Sequence, residues 1–215
     1  MSTPKILLTA AILILQWETT AAQLSIPSRS LGFLYGGSGQ RPEVQIVAYL
    51  DPTCPDSKAV YPTLIKVADY YTSDQLQFRM HLHNLPYHRN SHVISKATHV
   101  LDKYAPNKNT SFKWIDLVYS NLDNLTTSAT AMLNDAQVLQ ILSGLARGLT
   151  GIQETDFTSK VADPAIDGLT RLDFKYGCTR GVHSTPMFTI NDIFVDATNW
   201  NFNAWKAAID KLLNA

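Results

Sequence analysis

The chain has 215 residues, enough for one domain with a full core, and 45% of them are hydrophobic, an ordinary share for a globular protein. Eighteen basic residues balance eighteen acidic ones, so the composition carries no sign of the basic footprint that nucleic acid or an anionic membrane surface selects. Two cysteines are too few for a disulfide scaffold, and the core itself must hold the fold.

The first 22 residues read as a separate segment. Lys5 precedes the apolar run Ile6 to Leu15, and polar residues then lead to Ala21-Ala22. That order is the charged, apolar and small-residue pattern of a secretory signal peptide, with cleavage expected near Ala22. The run is short for a membrane span, so no stable membrane insertion is expected once the segment is removed. In that context the sequons Asn109-Thr110-Ser111 and Asn124-Leu125-Thr126 become candidate glycosylation sites at Asn109 and Asn124.

Residues 23–215 then form the expected domain. Leu31 to Tyr35 is a weak first strand, followed by the glycine-rich Gly36 to Gly39. Val44 to Leu50 (VQIVAYL) has the length and β-branched content of a buried strand. It runs into Asp51-Pro52-Thr53-Cys54-Pro55-Asp56-Ser57, beyond which Val60, Leu64, Val67, Ala68 and Tyr71 mark one face of a helix over about 56–71. A cysteine at a strand-to-helix turn lies beside free helix N–H groups and the positive end of the dipole, both of which favour the nucleophilic thiolate. The bland alternative is a small buried residue in a tight turn.

Leu76 to His83 alternates apolar and polar residues as a half-buried strand does. With the preceding strand and helix it predicts a β-α-β unit with parallel strands and a right-handed crossover. Residues from about 86 to 176 read as mostly helical: about 88–104, 111–122, 135–149 capped by Asn134-Asp135, 154–161, and 164–176 opened by Asp163-Pro164. Asn191-Asp192 between apolar runs predicts a β-hairpin, and Phe202 to Leu213 a closing amphipathic helix.

Pro62 inside the first helix, the Cys54 turn, and the late segment Gly181-Val182-His183-Ser184-Thr185-Pro186-Met187-Phe188-Thr189-Ile190-Asn191-Asp192 together carry a resemblance. They are similar to the DsbA-like thioredoxin-fold family, and the Asp-Pro-Thr-Cys-Pro-Asp-Ser turn resembles its eukaryotic secreted branch. The chain departs from the family loop at Ser184 and Asp192, where glycine is usual. It also departs at Ser57, which stands in place of the second cysteine of C-x-x-C. The resemblance implies an α/β thioredoxin fold with a helical insertion between its β-α-β and β-β-α halves. It further implies that Pro186 is cis and faces Cys54, and that Pro55, Thr185 and Pro186 contact an extended substrate peptide.

A single thiolate at Cys54 can attack a protein disulfide, but Ser57 cannot resolve the adduct. The resolving thiol would then come from outside, glutathione or another protein thiol, which makes the expected activity monothiol disulfide exchange. Ser57 could hydrogen-bond Cys54 or be an ordinary first-turn serine. The competing class is a non-catalytic peptide- or protein-binding module using the same cleft, and a third is a glutathione-dependent transferase-like activity. No cofactor is called for. His88 and His92, four apart in the expected helix, lack an acidic or cysteine companion and read as structural, so no metal site is expected. His183 reads as a surface histidine and Cys178 as a buried free cysteine, with an unconventional resolving partner as the alternative to the latter. The expected location is the secreted fraction or the endoplasmic reticulum lumen, and the absence of a K-D-E-L-type ending at Lys211 to Ala215 favours export.

Overall fold

The computed structural model describes residues 26–27, 30–36, 42–105 and 107–215. The expected leader over 1–22 lies outside the described residues. Five strands form one sheet in the order β1-β3-β2-β4-β5: β1 (Phe33–Leu34), β2 (Val44–Leu50), β3 (Leu76–Leu82), β4 (Met187–Ile190) and β5 (Ile193–Val195). β2 and β3 are parallel, in register from Val44 opposite Leu76 to Leu50 opposite Leu82, and the other pairings are antiparallel. The crossover between them is α1 (Pro55–Tyr70), as the alternating patterns predict.

Strand periodicity assigns the two faces of the sheet. Ile46, Ala48, Phe78, Met80 and Phe188 point to one side, where Phe188 meets Trp205 of α7 (Phe202–Leu213) with ring centroids 5.5 Å apart. Tyr49 and His81, opposite each other in the parallel ladder, point to the other. There α6 (Pro164–Thr179) brings Asp173 to within 2.6 Å of the His81 ring. Both partners of that pair are almost fully buried.

Between β3 and β4 the chain forms α2 (Ser91–Tyr104), α3 (Thr110–Ser120), a 3-10 turn at Leu122–Asn124, α4 (Asp135–Thr150), α5 (Glu154–Val161) and α6. α4 opens with a full capping box, Asn134 accepting from the Gln137 N–H while the Gln137 side chain accepts from the Asn134 N–H. Trp114, Ile115, Leu142, Ala146 and Phe157 bury the inner faces of these helices in the core. One expectation is corrected here: α2 begins at Ser91, so His88 lies in the preceding turn rather than one helical turn before His92. The early start fails because the chain turns here, the His88 N–H bonding the Leu85 carbonyl, while the Leu85 N–H and the His88 ring are held against Asp51 just beyond β2. No described helix is long and apolar enough to cross a membrane.

Candidate functional site

Cys54 is the N-cap of α1, in an extended conformation, with Pro55 at the first helical position. Proline is favoured there because its missing N–H would have had no partner within the helix. The Cys54 N–H bonds the Asp51 carbonyl at 3.1 Å, closing a turn, and the Cys54 carbonyl accepts the first helical bond from Lys58. The sulfur is thereby held at the mouth of the helix. It is only 4% exposed, and its thiol donates to the Thr185 carbonyl at 3.5 Å.

Thr185 reaches this position through the C-terminus of α6. Gly181, at φ 76°, reverses the chain; the Val182 N–H bonds the Gly177 carbonyl and the Gly181 N–H that of Cys178, a Schellman motif. The Thr185-Pro186 peptide bond is cis. β4 then starts with Met187 opposite Tyr49, which lays the cis proline beside the end of β2 and the Cys54 turn. The structure thus brings together Cys54, Thr185 and Pro186, with Pro55 exposed at the rim.

Ser57 is buried one turn into α1. Its hydroxyl accepts the Asp51 N–H at 3.2 Å, while the thiol's acceptor is Thr185. Cys178 corrects a second expectation: it is free and exposed, because Gly177 rather than Cys178 takes the inward position of that last turn, against His83. Of the two sequon asparagines, Asn124 is exposed on the 3-10 turn. Asn109 is half-buried at φ 61°, and its side chain accepts the Gly36 N–H at 2.7 Å. His183 is exposed. His92 pairs with Asp167 at 2.8 Å and His88 with Asp51 at 3.1 Å, so the two histidines serve different carboxylates.

Asp51 is the residue that sequence reasoning passed over. It is wholly buried beneath the cysteine turn. One carboxylate oxygen accepts from the Thr53 N–H at 2.7 Å and the Ser91 hydroxyl at 2.6 Å; the other accepts from the Leu85 N–H at 2.7 Å. Its carbonyl also takes the Tyr119 hydroxyl at 3.0 Å. One aspartate therefore ties the cysteine turn to the loop after β3 and to α2 and α3. A buried carboxylate this well supplied with donors is stable only where each is present. The available signal was an acidic residue closing an apolar strand.

Burial shapes the surrounding acid–base groups. It lowers the pKa of His83, 4% exposed, against the opposing pull of Asp51 and Asp173. It raises Tyr119 well above the usual phenol range, with Tyr61, Asp51 and Cys54 adding to the shift. The Nδ1 of His83 and the Oγ1 of Thr185 are buried without a hydrogen-bond partner.

These elements define a thioredoxin-type fold carrying a cysteine at the first helix and a facing cis proline, enlarged by a helical layer. The chain belongs to the thioredoxin family, whose pattern it matches over residues 39–211. Among solved structures it is similar to a candidate protein-disulfide isomerase from Pseudomonas syringae (TM-score 0.70, 18% identity, 83% of this chain and 97% of that one). It is also similar to α-DsbA1 of Wolbachia pipientis (0.66, 17%, 89% and 94%) and to the thiol-disulfide exchange protein α-DsbA2 of the same organism (0.63, 19%, 84% and 87%). No curated protein matches the chain. At these identities the likeness to solved structures is one of fold.

Proposed function

We propose that the protein carries out thiol-disulfide exchange on polypeptides through Cys54 acting as a single thiol, in the secreted fraction or the endoplasmic reticulum lumen. The observation that carries this reading is the placement of Cys54 at the N-cap of α1, 3.5 Å from the carbonyl of a cis-proline peptide, with serine where a second thiol would stand. The names of two similar structures, a disulfide isomerase and a thiol-disulfide exchange protein, support the same chemistry.

The step balances without an oxidant. The Cys54 thiolate attacks one sulfur of a substrate disulfide, forming a mixed disulfide and expelling the other sulfur as a thiolate. A thiolate of the same substrate then attacks the substrate sulfur of that adduct. A rearranged disulfide forms and the Cys54 thiolate leaves. With glutathione as the attacking thiol, the substrate departs as a glutathione mixed disulfide instead. Pro55, Thr185 and Pro186 would line an extended substrate strand, Ser57 would support the turn, and Asn109 and Asn124 would be the glycan acceptors.

The test is to incubate the chain carrying Cys178→Ala with a disulfide-bonded peptide and measure adduct mass. A mixed disulfide at Cys54 that persists until glutathione is added, and is lost in Cys54→Ala, is the expected result. Binding of the peptide without any adduct, unchanged in Cys54→Ser, would replace the reading with that of a binding module. The burial of Cys54 and the docking of its thiol on Thr185 are what favour this second reading.

A further inference from the structure

We propose that a glycan on Asn109 becomes part of the folded structure, its first N-acetylglucosamine seated in the cavity between α1 and α3. The inference rests on the reading of Asn109 as a glycan acceptor and is independent of the chemistry of Cys54. Attachment takes a diphosphate-linked oligosaccharide as donor. A bond forms from the asparagine Nδ2 to the sugar C1, the bond from C1 to the diphosphate oxygen breaks, and one Nδ2 proton is released.

Asn109 is held in a way that suits a substituent. It is the N-cap of α3, yet its backbone is left-handed at φ 61° and its side chain does not cap the helix. The side chain turns instead to the chain after β1, where Oδ1 accepts the Gly36 N–H at 2.7 Å and the amide lies beside the Tyr35 hydroxyl. Glycosylation replaces one of the two Nδ2 hydrogens and leaves Oδ1 an acceptor, so both contacts can persist in the modified residue. Asn109 also lines two cavities at once, of about 280 and 330 Å³, which share only Tyr35 and Asn109. The attachment atom thus belongs to the wall of the cavity, and this names the occupant.

The larger cavity matches the apolar parts of the sugar. The acetyl methyl and one face of the ring present C–H groups, which pack on apolar surface, while the hydroxyls need polar partners or water. Tyr35, Tyr61, Pro62, Ile65 and Phe112 supply that surface, Tyr35 standing edge-on to Phe112 at 5.0 Å. Lys113 and Asp116 line the same cavity and are exposed, within reach of the hydroxyls. In the smaller cavity the Asp69 carboxylate, the natural acceptor for sugar hydroxyls, is already engaged by the Tyr35 hydroxyl at 2.7 Å. Seated in the larger one, the sugar bridges the helix that carries Cys54 to α3. Asn124 lines neither cavity and is exposed, so its glycan extends into solvent and serves as the internal comparison.

The experiment produces the full chain in eukaryotic cells and follows each asparagine by peptide mass. Glycan release after denaturation gives the occupancy of each site. On the native protein, peptide N-glycosidase should free the Asn109 glycan about tenfold more slowly than the Asn124 glycan, because a seated sugar exposes its bond only on local opening. Both glycans are then trimmed to a single sugar. The acetyl methyl proton signal at Asn109 should move upfield, displaced by the ring currents of Tyr35 and Phe112, while that at Asn124 keeps the position of the free sugar. Asn124→Gln assigns the two signals. Equal native release, or protection without a displaced methyl signal, would overturn the seating of the sugar. An Asn109 that carries no glycan would overturn the acceptor reading and this inference with it. Occupancy and protection are measured separately, so the two failures remain distinguishable.

Discussion

Two glycines of α6 set competing effects of one substitution against each other. Helical glycine costs about 0.5–1 kcal/mol relative to alanine because the unfolded chain has more freedom to lose. Gly168 is exposed, and a Cβ there meets nothing within 4 Å. Gly168→Ala should therefore raise stability by roughly that amount. At Gly177 the added carbon would lie 2.6 Å from the His83 Nδ1, and His83 cannot yield because its ring is stacked on Phe174 at 4.8 Å. Overpacking of this kind costs about 1–3 kcal/mol, which outweighs the helical gain at a position already in the last turn. Denaturant midpoints should move in opposite directions for the two variants; a rise for both would show that His83 has room to move. The same comparison marks what the residues revealed of the site. Cys54 was legible from the strand-to-helix turn it occupies, and the Thr185-Pro186 loop from its resemblance to the proline loop of the DsbA-like family. The burial of Asp51 and the exposure of Cys178 were not, since each depends on which side of a helix or turn faces a segment far away in the chain.

The hairpin between β4 and β5 shows how an element is fixed by its turn. Asn191 and Asp192 both have positive φ, 47° and 67°, which is the pairing that matches the strand twist in a two-residue loop. Asn191 also extends the sheet sideways. Its side chain accepts the Gln45 N–H at 2.8 Å and donates to the Glu43 carbonyl at 2.9 Å, anchoring the turn to the start of β2. Asn191→Ala loses both bonds and the tolerance of asparagine for this conformation, and should cost about 2 kcal/mol. Asp192→Gly removes a left-handed strain of at most about 1 kcal/mol and gives up an exposed pair with Arg180 at 3.8 Å that is worth little, so it should be neutral to stabilising. Urea midpoints of the two variants check this; a loss in Asp192→Gly matching that in Asn191→Ala would mean that the aspartate side chain, not the turn, holds the hairpin. Elements of this sort were readable because their signals are local: Asn-Asp between apolar runs, Asp163-Pro164 opening α6, the alternation of β3. β1 was the faintest, since its two residues are fixed by pairing Phe33 with Met80, a partner the local sequence does not name.

Across the whole molecule, equal numbers of acidic and basic residues mean that overall self-repulsion does not set the stability limits near neutrality. Individual buried groups do, and they act at opposite ends of the pH scale. The pKa of His83 is lowered in the folded state, so its contribution is present above about 6.5, the unfolded value, and is lost as the pH falls and the fold must accept a buried charge. Five of the nine tyrosines shift the other way, chiefly through burial: Tyr35 and Tyr49 to about 12, and Tyr61, Tyr71 and Tyr119 upward as well. Tyr61 and Tyr119 donate their hydroxyls to the Phe112 and Asp51 carbonyls, bonds that a phenolate cannot make. A raised folded value means stability fully present below about 10 and lost as the pH rises toward the folded values. The urea midpoint should therefore hold a plateau from about pH 7 to 10 and fall on both sides, more steeply on the alkaline side, where five groups act together. Tyr61→Phe should flatten the alkaline limb while lowering the plateau by about 1 kcal/mol for the lost hydrogen bond. A native protein whose buried phenols ionise near 10 without loss of the near-ultraviolet circular dichroism of its packed aromatic rings would show that the tyrosine layer opens independently of the sheet. In that case α1 and α3, whose Tyr61 and Tyr119 rings pack edge to face at 5.2 Å, would not be coupled to the fold as a whole.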